Sequence, residues 1–171
     1  IIQIPNDYNG EFDINTTSGD IVAPSLENNI TNLESSSGKI ECGNINNGNF
    51  KTSSGDITVG NGNEITLQVS SGKIKAGNFN KLSAEASSGD IEVGNIEEGT
   101  IKTSSGKIIV NEVKRLEAEA SSGNIDISKI NEYCNLKTSS GSIDIENVNI
   151  IENSFISAKS GSVDINNKND I

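Results

Sequence analysis

Three aspartates, Asp126, Asp144 and Asp164, recur at nearly one interval towards the C-terminus. Carboxylates held close together repel, and calcium, a hard cation that takes oxygen ligands, relieves that repulsion. On a scaffold that holds a glycan, paired carboxylates are also the equipment of acid–base cleavage. Little other chemistry is available. The chain has no histidine, which removes every imidazole relay, triad and metal site. Its two cysteines are Cys42 and Cys134. A reactive thiolate needs an accessible, electropositive setting, and neither has an evident partner. What the carboxylates can do therefore depends on the elements that place them.

Those elements are repeats. Ser87-Ser88-Gly89-Asp90-Ile91 recurs along nearly the whole chain, with equivalent glycines at 19, 38, 55, 72, 89, 106, 123, 141 and 161. Most intervals are 17 residues, a period that signals stacked supersecondary units. Two residues after each glycine stands Ile21, Ile40, Ile57, Ile74, Ile91, Ile108, Ile125, Ile143 or Val163. Four residues after it the side chains are again apolar, from Ala23 and Cys42 to Ile145 and Ile165, with charge or Thr mostly between. This alternation predicts a strand with one buried face.

A second strand is predicted before each glycine. Its fifth position back runs from Ile14, Leu33 and Phe50 to Leu136 and Ile156, and its third carries small residues such as Thr52, Val69 and Ala86. A third apolar column follows the Gly-Asn turn at Ile45, Phe79, Ile96, Val113, Ile130 and Val148, which suggests a short third side. The glycine itself suits a corner that needs positive φ, beside serines whose hydroxyls bond local backbone.

A Ser-Gly corner also fits an antiparallel hairpin. A hairpin would set Glu34 against Glu41, Glu85 against Glu92 and Glu119 against Asp126, and like charges directly opposite destabilise. Stacked in parallel, the residue after glycine instead reads Asp20, Lys39, Asp56, Lys73, Asp90, Lys107 along the stack. The signs alternate, and neighbours about 4.8 Å apart attract. The fold expected is thus all-β: a right-handed parallel β-helix, or β-solenoid, of about nine 17-residue coils, the hand following from the strong right-handed bias of parallel crossovers. One domain spans 1–171, with capping strands over 1–15, repeats over 16–166 and a polar tail over 167–171. Ile2, Ile4, Tyr8 and Phe12 are the expected capping residues.

This geometry gives the chemistry its positions. Cys42 and Cys134 fall about six coils apart, beyond disulfide reach, so buried, unpaired thiols are expected. Asp126, Asp144 and Asp164 fall on one outward position of three successive coils, where calcium is the one metal expected. Extra residues collect on one edge, at 25–31, 131–135 and 149–154, where repeat proteins often meet partners.

With 24 acidic against 13 basic residues the net charge is -11, which disfavours nucleic acid. Aromatic residues make up only 4%, so the core must be thin. No apolar run approaches the roughly 20 residues needed to cross a bilayer. The sequence opens Ile1-Ile2-Gln3-Ile4-Pro5 without an initiator Met and reads as a mature segment. An export signal or membrane anchor is expected upstream of it, with a cell-surface or extracellular location.

The opening Ile4-Pro5, Tyr8-x-Gly10 and Ile14-x-Thr16-x-Ser18-Gly19-Asp20-Ile21, followed by serial Ser-Ser-Gly-Asp/Lys-Ile, resembles the bacterial adhesin-like domain of unknown function called the toast-rack domain. The resemblance spans essentially the whole chain. It implies an all-β repeat protein of the cell envelope, with adhesion proposed by analogy and no catalytic motif to carry over. The functional expectation is a non-enzymatic adhesin or spacer with a protein or glycan partner and no cofactor beyond possible calcium. The alternative is a carbohydrate-active β-helix enzyme using surface carboxylates, and a third reading is a purely structural stalk. A cleft with convergent acids would favour the enzyme.

Overall fold

The computed structural model describes residues 10–150 and 153–167. Each coil has a short side, a long side and two corners; the sides are separate strands up to Ser88 and one continuous strand of 15 or 16 residues per coil from Ile91 to Ser140. In the coil that starts at Gly72, the three-residue strand Ile74–Ala76 passes through Gly77-Asn78 into the ten-residue strand Phe79–Ser88. The chain then turns at Gly89 into the next coil. The described strands pair in parallel, and each coil lies in register on the one before. Glu85 lies beside Gln68 and Lys102 on its neighbours, so the hairpin alternative is removed. The chain is a β-solenoid of about nine turns.

The core lies where the alternation put it. Ile40, Ile57, Ile74, Ile91, Ile108, Ile125 and Ile143 are fully buried, as are Leu33, Phe50, Leu67, Ile101 and Leu136 in the column before glycine. The expected third side is no separate strand; Phe79 opens the same ten-residue strand that carries Ala84 and Ala86 inward. A fourth buried column, seven residues before glycine, was not read from sequence. It comprises Thr31, Ile65, Leu82, Leu116 and Cys134, interrupted by Gly48 and Gly99. Neighbours fill those gaps: a Cβ on Gly99 would stand 3.1 Å from Leu116 Cδ1, and one on Gly48 would stand 3.1 Å from the Phe50 ring.

The Ser-Gly corner stacks backbone on backbone. Gly89 has φ +148, a conformation essentially restricted to glycine. A Cβ there would also overlap the carbonyl oxygen of Gly72 below. Positive φ holds at Gly72, Gly89, Gly106, Gly123 and Gly141; at Gly38 and Gly55 the close approach alone requires glycine. The hydroxyls that bond here come from the buried position three before glycine. Ser35 and Thr52 donate to the carbonyls of Gly19 and Gly38 at 3.1 and 3.0 Å, and Thr138 donates to that of Gly123 at 2.9 Å. The alternating position after glycine does more than balance charge. The carboxylates of Asp20, Asp56 and Asp90 accept the backbone N–H of Lys39, Lys73 and Lys107 on the next coil, at 2.7–3.0 Å.

The extra residues fall at register shifts between Leu26 and Ile30 and opposite Val113 to Arg115. Glu11–Thr16 pairs in parallel with Ile30–Ser35 and so serves as the long strand of the first coil. Phe12 packs against the core there; Ile2, Ile4 and Tyr8 lie outside the described residues. At the other end the inward residues Val163 and Ile165 remain 43% and 49% exposed.

Candidate functional site

The outer face of the long sides, formed by the ten-residue strands and the matching parts of Ile91–Ser105 and Ile108–Ser122, carries three polar columns, because inward positions there alternate with outward ones. Eight residues before glycine, register stacks Glu64, Lys81, Glu98, Arg115 and Tyr133. Six before glycine it stacks Thr66, Ser83, Thr100 and Glu117, and four before glycine Gln68, Glu85, Lys102 and Glu119. A groove of about 350 Å³ runs along the first two columns across five coils. Within one coil the flanking charges oppose each other, as in Lys81 with Glu85, Glu98 with Lys102 and Arg115 with Glu119. Along the axis each column alternates too. The result is a checkerboard of charge either side of a hydroxyl track.

Lys81 lies between Glu64 and Glu98 without an ion pair to either. Arg115 is held differently, 5.3 Å over the Tyr133 ring and 3.9 Å from Glu132. Tyr133 reaches this column because the extra residue of its coil shifts the register after Ile130. The insertion edge thus supplies one end of the groove, while the described residues 25–27, 30–31, 149–150 and 153–154 do not line it.

A second groove of about 460 Å³ lies by the Gly-Asn corner and is lined by Asn61, Asn78, Asn80 and Asn95. Its polar groups already hold coils together. The side-chain carbonyls of Asn44, Asn61 and Asn78 accept the backbone N–H of Asn61, Asn78 and Asn95 at 2.9, 2.8 and 2.7 Å. Asn80 donates to Asn63, and Lys114 pairs with Glu97 at 2.6 Å. Larger volume is therefore the weaker guide, since the first groove keeps more of its polar groups uncommitted.

Asp126, Asp144 and Asp164 stack on successive coils as the repeat required. Asp126 is ion-paired to Lys107, while its Oδ1 is buried with no hydrogen-bond partner. Among the described residues no three acidic, thiol or imidazole groups gather closely enough to hold a metal ion. Cys42 and Cys134 are both unpaired and buried. Burial pushes the Cys42 thiol up to about 11 and raises that of Cys134, the latter partly offset by Ser154. Neither is a thiolate at neutral pH.

The sequence matches the family Toastrack DUF4097 over residues 1–64 and 60–170. The chain belongs to the toast-rack family. As a toast-rack domain it is a β-solenoid module whose family assignment carries a shape and no activity. No curated protein and no solved structure matches it. Among the described residues of this toast-rack domain no helix is long and apolar enough to cross a membrane.

The groove was hidden from the sequence for two reasons. Its floor is the fourth buried column, broken by Gly48 and Gly99, and its charged wall begins only at Glu64. The signal was nonetheless present: Glu64, Lys81, Glu98 and Arg115 follow one another at 17 residues with alternating sign.

Proposed function

We propose that this toast-rack domain is a non-enzymatic binding and spacer module of the cell surface, adhesive through the outer face of its long sides. The observation that carries the reading is the groove from Glu64 to Tyr133, whose lysine, glutamates and hydroxyls are not consumed in holding coils together. The partner is a glycan or a protein. A surface with net charge -11 repels nucleic acid, and contact with a membrane would come through a segment outside this chain. No cofactor is required. Calcium on the stack of Asp126, Asp144 and Asp164 is the one inorganic option, and calorimetry without heat or Tm shift at millimolar calcium removes it.

The test uses beads coated with the whole chain, presented to immobilised glycans and matrix proteins. Adhesion is expected, and Ser83→Trp with Thr100→Trp, both outward and exposed, should abolish it while leaving the circular dichroism and Tm unchanged. Adhesion that survives this block places the docking surface elsewhere, and no adhesion at all leaves a stalk. Release of new reducing ends from a bound glycan would instead make the protein a carbohydrate-active enzyme.

A further inference from the structure

We propose that the groove takes a neutral, linear, extended polysaccharide lying parallel to the solenoid axis, one sugar per coil from Glu64 to Tyr133. The inference rests on the reading of this groove as the docking surface and names what docks there.

Charge decides the class of ligand first. Glu64, Lys81, Glu98 and Arg115 alternate in sign along the groove, and Glu85, Lys102 and Glu119 alternate along the outward column that flanks it, out of phase with the first. A polyanion meets a glutamate on four of the five coils, at Glu64, Glu85, Glu98 and the pair Glu117 and Glu119, and the acidic molecule as a whole repels it further. A polycation meets Lys81, Lys102, Arg115 or Lys137 on four of the five, so neither kind of charged chain is attracted at every step. A hydroxyl is one donor and two acceptors, so a polyol can give to Glu64 and Glu98 and accept from Lys81 with the same kind of group. Thr66, Ser83 and Thr100 offer the matching pattern between the two columns.

Polypeptide ligands lack what they use elsewhere. A peptide strand adds to a free sheet edge or drops apolar anchors into pockets. Here the strand backbones are paired on both sides along the axis, and Ile65, Leu82 and Leu116 point inward and are buried. Tyr133 closes one end, with Arg115 over its ring.

Geometry then sets the direction. Coils repeat about every 4.8 Å, close to the advance of one sugar in an extended β-linked pyranose chain. A chain laid along the axis meets one polar set per coil, with the charge order inverted from Lys81, Ser83 and Glu85 to Glu98, Thr100 and Lys102. Laid across the axis, it would leave the groove after one coil.

The experiment is calorimetric titration of the whole chain with cello-oligosaccharides and β-1,4-linked manno-oligosaccharides of increasing length. Oligomers of a β-linked uronic acid, oligomers of glucosamine and an uncharged extended peptide serve as comparisons. Affinity for at least one neutral series is expected to rise roughly two- to tenfold per added sugar, as for one net hydrogen bond per coil. It should level off once the chain spans the five coils. Lys81→Gln and Glu98→Gln should each lose roughly two- to tenfold, and Ser83→Trp or Thr100→Trp more than either. The inference is overturned if a charged oligomer or the peptide binds more tightly than both neutral series, or if affinity does not depend on length. It is also overturned if neither neutral series binds or competes with bead adhesion that the tryptophan variants abolish; the docking-surface reading then stands without it. Adhesion indifferent to those variants removes both.

Discussion

The two corners of each coil solve one problem by different means. At the Ser-Gly corner glycine recurs through all nine repeats, because the carbonyl of one glycine lies where the next would carry its Cβ. At the other corner glycine recurs only at 43, 60, 77 and 94, where a side chain of the coil below fills that space and accepts the next N–H: Ser25 at the first, and Asn44, Asn61 and Asn78 at the other three. From Asn111 onward this glycine is gone, and the strand, already continuous past Gly94 in Ile91–Ser105, runs through the corner in Ile108–Ser122 and Ile125–Ser140. Backbone pairing of Asn95 with Glu112 and of Glu112 with Lys129 takes over. A contact made of backbone alone fixes the residue type wherever it occurs; a contact made through a side chain can be exchanged for another.

The sharpest way to break this contrast is Gly89→Ala. The substitution places a Cβ against the Gly72 carbonyl at a φ that other residues rarely adopt. A loss of about 3 kcal/mol or more is expected, given the cost of strain combined with overpacking. Gly19→Ala is the control: among the described residues its Cβ meets only Thr16 Oγ1, at 3.1 Å. Urea denaturation should move the midpoint strongly for the first and little for the second. Equal effects would show that the stack is not what demands glycine.

A smaller effect is expected at the exchangeable corner. Asn61→Ala removes the acceptor of the Asn78 N–H, a loss of about 1 kcal/mol for an exposed hydrogen bond. Gly77→Ala meets both the Asn61 side chain and the Gly60 carbonyl, the latter at 2.6 Å, and should cost more than Asn61→Ala but less than Gly89→Ala. The two changes should couple, since removing the Asn61 side chain relieves one of the two clashes. Ser128, in the equivalent place beyond the ladder, should accept alanine within about 0.5 kcal/mol. Strictly additive thermal or urea shifts for the Asn61 and Gly77 pair would refute the shared contact.

This contrast also explains what could be read in advance. The stack of coils, the Ile column and the separated thiols were legible because a backbone contact repeated eight times between nine glycines leaves one residue type in one place. The asparagine ladder was seen only as a Gly-Asn turn, since nothing in Asn44, Asn61 and Asn78 announces that the side chain reaches the next coil rather than its own backbone. The groove was harder still. A floor that varies from Thr31 through Gly48 and Ile65 to Cys134 has no type in common; burial unites it only after the neighbours that fill Gly48 and Gly99 are known. The three aspartates were placed correctly on one column. Sequence could not show that Lys107 would reach across to Asp126, because that lysine stands at a different position in its coil.

The weakest expected effect tests the replacement itself. Beyond the ladder Glu112 accepts from Asn131 Nδ2 at 2.8 Å and pairs with Lys129 Nζ at 2.9 Å. The Asn131 hydrogen bond first, and Lys129 with it, hold the Glu112 carboxyl below the usual carboxylate range. A carboxyl so depressed contributes stability above its unfolded pKa of about 4.3, and that contribution fades as pH falls through the lower folded value. Glu112→Gln should therefore destabilise at neutral pH, by no more than about 1 kcal/mol for a solvent-exposed pair. Its difference from the parent should shrink towards acid and in about 1 M salt, where the screening length is near 3 Å. The deficit of Asn61→Ala should stay level across both series, because an amide carries no proton to lose at these pH values and no net charge to screen. If the Asn61 deficit follows pH, or the Glu112 deficit ignores it, the two halves of this edge are not held by different interactions.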